Sequence, residues 1–205
     1  MTQLKILAAG KAKQTPDQME ITIFMDNLYN SYQGAFNASN LAYEGFIKEF
    51  KKAGFDEQQL FLESYGIDER YEYVEDKRQF LGYQYRYRLR HLMDLDLERY
   101  QKLLKVASNL DSKPTLDLDY TLKDREALQL RAIEDAIKKG YKQAEFIAKT
   151  LNKKVAKLVR VDLRNEPQFI YHENAMMKSR SAFADLAIAP IESAVELALD
   201  FELEA

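Results

Sequence analysis

The chain predicts an α+β fold: three helices packed against mainly antiparallel sheet, in the order ββαββαβαββ. Three observations carry that expectation. Residues 81–90 alternate strictly. Leu81, Tyr83, Tyr85, Tyr87 and Leu89 take one side; Gln84, Arg86, Arg88 and Arg90 take the other. This is the period of a half-buried strand. After Asp94 the apolar spacing turns helical, at Leu97, Tyr100, Leu103, Leu104, Ala107 and Leu110. A longer helical stripe then runs through Leu130, Ile133, Ile137, Tyr141, Ala144, Ile147, Ala148 and Leu151.

Each element has a local reason. Residues 4–13 and 18–28 read as two strands, with Met19, Ile21, Ile23 and Met25 alternating in the second. Pro16-Asp17 between them reads as a turn, because proline pre-sets φ and aspartate bonds nearby backbone. A hairpin is expected. Asn30-Ser31 caps a helix over 32–53, whose stripe is Phe36, Tyr43, Phe46, Ile47 and Phe50. Gly54 lies at its C′ position, behind Lys51 and Lys52. Residues 60–75 are a strand, with Tyr65, Ile67, Tyr71 and Tyr73 in phase. It turns through 75–78 into the Tyr/Arg strand, making 60–94 a long hairpin.

A second helix over 96–109 and a strand over 115–122 follow. Thr121 to Asp124 fits a capping box that opens the longest helix, about 124–151, roughly 40 Å at 1.5 Å per residue. Asn152 ends it. Residues 154–164 are a strand, and 166–187 have no clean period. The end, 191–203, has good helix propensity. As a helix, however, its acids would spread round the circumference, whereas a strand gathers Glu192, Glu196, Asp200 and Glu202 on one face. It reads as a strand. The whole is expected to form one domain over 1–205, with two lobes, 1–110 and 111–205.

Composition excludes some functions. The chain has 205 residues, net charge −3 and 31% charged residues. It is long enough for a real core, and has no global field to draw nucleic acid or anionic lipid. With no cysteine, disulfides, thiol catalysis and cysteine metal sites are excluded. Residues 181–205 hold six acids and no Lys or Arg, while 124–154 hold eight Lys or Arg against five acids. Those two stretches are expected to complement one another. No apolar run reaches the roughly 18–20 residues of a membrane span. The first residues are too short for a leader with an apolar core. A cytoplasmic location is expected if the chain is complete, a periplasmic one if a leader was removed.

Four stretches together resemble the SIMPL-domain family, which is mostly bacterial. Gly10 to Pro16-Asp17 looks like its opening G-x-x-x-x-x-P-D. Gly82-Tyr83 through Asp94-Leu95-Asp96 looks like its G-Y strand and D-L-D joint. Ala127 to Leu151, with Ala132, Asp135, Ala136, Lys142, Ala144 and Ala148, looks like its alanine-rich helix. Pro190 to Leu203 looks like its closing strand. Two departures are local: Ile191 stands where a turn glycine is common, and Lys139-Gly140-Tyr141 interrupts the alanines. The resemblance implies an α+β fold and ring-like self-association in some members. The family has no agreed active site, so no catalytic residue carries over.

The residues themselves offer few sites. Arg86, Arg88 and Arg90 could bind an anion or single-stranded nucleic acid by phosphate pairing and stacking. Their tyrosine neighbours point the other way, so pairing with Asp68, Glu72, Asp117 or Asp119 is the favoured reading. His91 and His172 lack ligand spacing, and His91 is expected to be packed. Asp94, Asp96 and Glu98 read as a helix start capped by Asp96. The small residues Ala132, Ala136, Gly140, Ala144 and Ala148 read first as a helix–sheet contact. Phe169, Tyr171, Met176, Met177 and Phe183 are candidate contacts with a neighbouring copy. Neither a catalytic group nor a cofactor is expected. The expected function is a non-enzymatic, self-assembling structural or interaction module in envelope or stress physiology. Its partners are further copies, or a separate protein. An anion-binding role through the arginines is the alternative, and a hydrolase with an unrecognised site comes last.

Overall fold

A computed structural model describes residues 2–74, 77–171 and 188–204. The strands are β1 (Thr2–Gln14), β2 (Gln18–Tyr29), β3 (Leu60–Val74), β4 (Lys77–Asp94), β5 (Thr115–Thr121), β6 (Lys154–Leu163), β7 (Gln168–Ile170) and β8 (Ile191–Glu204). The helices are α1 (Tyr32–Lys52), α2 (Leu97–Ser108) and α3 (Arg125–Thr150). The fold is α+β, and every strand pairing is antiparallel. Two compact units result: Asp17–Thr121, and Met1–Pro16 with Leu122–Ala205.

The continuous unit carries a sheet in the order β3-β4-β2-β5. Its inner face is built from Met19, Ile21, Ile23 and Met25 of β2 and Tyr85, Tyr87, Leu89 and Met93 of β4. Against it pack Phe46 and Phe50 of α1, and Tyr100, Leu103 and Val106 of α2. Ser31 caps α1, its hydroxyl accepting from the Gly34 amide at 3.1 Å. Gly54 follows α1 at φ +86°, as its C′ position requires. Asp96 caps α2 by accepting from Arg99 N at 2.9 Å. The α1 stripe runs through Ala35, Ser39, Phe46 and Phe50, flanked by Tyr43 and Ile47. Phe36, expected inside, is 41% exposed, because one residue past Ala35 is about 100° round the helix.

The other unit is a sheet in the order β1-β8-β6, with β7 also on β8, under α3. The buried line of α3 is Leu128, Ala132, Ala136, Gly140, Ala144 and Ala148. That differs from the expected stripe, since Leu130 and Leu151 are exposed. The physical reason is closeness. A Cβ on Gly10 of β1 would collide with the Ala132 carbonyl and the Ala136 amide, and one on Gly140 with the Leu199 side chain. Only small residues fit this line. Ile133, Ile137, Tyr141 and Ile147 pack from its shoulders. Asp124, not Thr121, caps the helix, accepting from Ala127 N at 2.8 Å. Asn152 after it takes φ 54°.

Strands β1 and β2 exist as expected, but the hairpin between them does not. β1 runs against β8 from Thr2↔Leu203 to Gln14↔Ile191, while β2 lies between β4 and β5. Asp17 is already held on the β2 side: its amide donates to Thr121 O, and its carbonyl accepts from Leu95 N. Side-chain size also separates the strands. Ala8, Gly10 and Ala12 of β1 suit the alanine line of α3, whereas Met19, Ile21 and Ile23 of β2 fill the wider space under aromatic α1. The terminal segment is strand, and its acids share one face. Among the described residues Glu192 pairs with Lys11 and Lys13, and Glu202 with Lys157, all three lysines outside 124–154, while Lys154 lies opposite Glu204 in the β6–β8 register.

Candidate functional site

The three arginines lie on the outer face of the continuous unit's sheet, opposite the tyrosines. Arg86 pairs with Asp68. Arg88 pairs with Glu63 at 3.0 Å. Arg90 bonds Glu63 at 3.0 Å and lies 3.6 Å from Glu20. Of the four expected partners only Asp68 takes part. Glu63 is available because it is the extra residue of a bulge, where the register slips between Leu62 and Ser64. Aromatic rings do reach this face, from neighbouring strands rather than from β4: Arg88 lies 5.5 Å over Phe24, and Arg90 5.4 Å over Phe61.

The tyrosines form a stacked layer inside. Tyr65 and Tyr43 lie 4.5 and 5.4 Å from Tyr87, and Tyr29 lies 6.1 Å from Tyr85. Tyr65 O–H and Ser39 Oγ are hydrogen-bonded at 2.9 Å. Burial pushes the Tyr85 phenol up to about 12, so it stays neutral. His91 is fully buried, edge-on to Phe50 and Phe55. Its Nδ1 lies 3.0 Å from the Gln59 carbonyl. Desolvation lowers its pKa, as expected for packed imidazole. Among the described residues no cluster of three or more His, Asp or Glu could hold a metal ion. His172 lies outside them.

Of the candidate contacts, Phe169 in β7 packs against Leu122, Leu128 and Ile191 of its own unit. Arg125 lies 5.0 Å over the Phe169 ring and donates to the Tyr171 hydroxyl. Met176, Met177 and Phe183 lie outside the described residues.

The surface that sequence reasoning missed is the far end of the β3–β4 hairpin. β2 pairs with β4 only up to Tyr29↔Tyr83, so, among the described residues, 77–82 of β4 pair with β3 alone. Beyond Asp68 the hairpin is a two-stranded ribbon exposed on both faces. One face is aromatic. Tyr32, Tyr83, Phe80 and Tyr71 make a chain of edge contacts at 5.8, 5.4 and 5.4 Å. Arg78 lies 3.6 Å over Tyr71, and Tyr71 O–H donates to Glu69 at 2.6 Å. Tyr73 is 73% exposed. Gly82 sets where the ribbon leaves the sheet: it has φ +140°, and a Cβ there would collide with the Tyr29 carbonyl. Here the β4 register skips Leu81, which turns it out of the expected inner row. The signal was in the strand lengths. The β4 alternation is longer than the β2 alternation beside it, so part of β4 must run on without β2.

Among solved structures the chain is similar to a hydrolase from Listeria innocua, with 9% identity and a TM-score of 0.24 over 95% of this chain and 92% of that one. So slight a likeness carries neither fold nor activity. No curated protein matches. The SIMPL family model, described as a protein of unknown function (DUF541), matches residues 4–202. That span takes in the glycine–proline opening, the Tyr/Arg strand, the alanine line of α3 and the closing strand, and the chain belongs to the SIMPL family.

Proposed function

We propose that this chain is a non-enzymatic module that acts by self-assembly. One observation carries the reading: a β-ribbon with exposed Tyr71, Tyr73, Phe80 and Leu81 extends past the helices that cover its sheet. A two-stranded ribbon is marginal in water by itself, and rings gathered on one face are the composition of contact surfaces. The titratable groups support the non-enzymatic half. Arg86, Arg88 and Arg90 are engaged with carboxylates, and His91 is sealed in apolar packing. The test is mass in solution by light scattering on a size-exclusion column, over a range of loading concentrations. A defined multimer is expected; a monomer at every concentration would contradict the proposal.

The second reading, an anion-binding face, draws on Phe24 and Phe61 beside the arginines. Glu20, Asp26, Glu63 and Asp68 share that face and oppose an anion there.

A further inference from the structure

Among the described residues both edges of the ribbon are open: on the β4 side Lys77 and Arg78 and the slip at Leu81 discourage strand addition, whereas the β3 side has no lysine and no extra residue. Among the described residues β3 pairs only with β4 and is the end strand of its sheet. Such an edge carries a row of unpaired amides and carbonyls, which templates another strand unless it is blocked. Two of the usual blocks, a bulge and a proline, are missing from its outer half, and the charges it carries, Asp68, Glu69, Arg70 and Glu72, include no lysine. The β3 bulge sits at Glu63, and the slip at Leu81 belongs to β4. From Ser64 to Val74 β3 itself carries no extra residue and no proline, although its pairing with β4 slips between Arg70 and Tyr71, where Leu81 is skipped.

We infer that this free edge pairs antiparallel with β3 of a second copy, about a two-fold axis at Tyr71. The inference rests on the self-assembly reading above and names its contact. The sequence Asp68-Glu69-Arg70-Tyr71-Glu72-Tyr73 is self-complementary about its tyrosine. With Tyr71 opposite Tyr71, Arg70 of each copy faces Glu72 of the other, so the pair is made twice. Both side chains are exposed, and neither makes an ion pair among the described residues. On the opposite face of the ribbon Tyr73 meets Glu69 of the other copy, on either side of the central tyrosines. A shift of one residue either way would bring Arg70 against Tyr71 or Tyr73 and leave the charges unmatched. Opposite charges directly across a strand pair are favourable and like charges are not, so charge selects this register. The interface is isologous, as a two-fold requires.

Charge reversal tests it in the full-length chain. R70E sets Glu against Glu72 twice, and E72R sets Arg against Arg70 twice. Each should weaken self-association about tenfold or more, read as a raised dissociation constant by sedimentation velocity over a concentration series. The double variant R70E/E72R should associate like the parent. So should an equimolar mixture of the two single variants, because every facing pair is again Glu with Arg. Both positions are exposed, so all variants should still unfold cooperatively, with melting curves that overlay that of the parent at dilutions where the parent is itself dissociated. Single variants that assemble as well as the parent would overturn the inference and leave self-assembly standing through another surface. Single variants that dissociate with no recovery on mixing would overturn the pairing. A parent chain that is monomeric throughout would overturn both the pairing and the self-assembly reading.

Discussion

Glu192 shows how one residue ties the discontinuous unit together. Its side chain is 5% exposed, yet its carboxylate holds the ammonium groups of Lys11 at 2.8 Å and Lys13 at 3.1 Å. The Lys11 hydrogen bond, then that of Lys13, draws its pKa from 4.5 to about 2. A carboxyl held below its unfolded value binds fewer protons in the fold than in the open chain. Its contribution is therefore present above about pH 4.5, and is lost as pH falls from there toward 2. Glu192→Gln should melt lower than the parent at pH 7, with the gap closing as pH approaches 3. Thermal melts at several pH values read this directly; a gap constant down to pH 3 would show that the two lysine contacts contribute nothing. His91 adds in the same direction at higher pH. Its lowered pKa makes protonation below the ordinary histidine range favour the unfolded chain.

Among the elements, α3 is the most tightly specified. Its contact line of Ala132, Ala136, Gly140, Ala144 and Ala148 lets the helix backbone approach β1 so nearly that Gly10 has no room for a side chain. Gly10→Val should cost about 1–3 kcal/mol, the usual range for overpacking a core, measured as a lower urea midpoint with the slope unchanged. An unaltered midpoint would mean that the helix can move off the strand cheaply.

The same helix shows what was legible beforehand. Its span and the small residues along it were readable from spacing, and so were the strand period of β4, the Asp96 cap and the strand nature of β8. Which stripe faces inward was not. Leu130 outranks Ala132 on hydrophobicity, but the deciding quantity is the distance between backbones, and that depends on Gly10, far off in sequence. The β1–β2 pairing failed for a related reason. Pro16-Asp17 marks a change of direction without saying which strands meet after it. For the candidate site, the Arg86–Asp68 pair was foreseeable from the hairpin register. The Glu63 pairs needed a bulge, which alternation does not reveal.

At the scale of the whole chain, each unit is one antiparallel sheet packed on one face, by α1 and α2 in the continuous unit and by α3 in the other. The chain enters the continuous unit at Asp17 and leaves it after Thr121. No helix among the described residues is long and apolar enough to cross a membrane. The two units treat their sheet edges differently. β1 carries Lys5, Lys11 and Lys13, and β6 carries Lys154, Lys157 and Arg160; lysine on an edge discourages strand addition. The outer half of β3 carries three acids and one base among its tyrosines and no lysine, and belongs to the ribbon that extends past its helices. This contrast supports the ribbon as the contact element.

Shortening the ribbon shows whether self-assembly proceeds through it. Arg70 and Gly82 are directly paired, so replacing residues 71–81 with Asn-Gly closes the hairpin with a favoured two-residue turn and leaves the core of the unit untouched. The measurement is the solution mass of parent and shortened chains by light scattering at matched concentrations, with a melting curve for each. A multimeric parent and a monomeric shortened chain that still melts cooperatively are expected. Equal masses for two folded chains would contradict assembly through the ribbon.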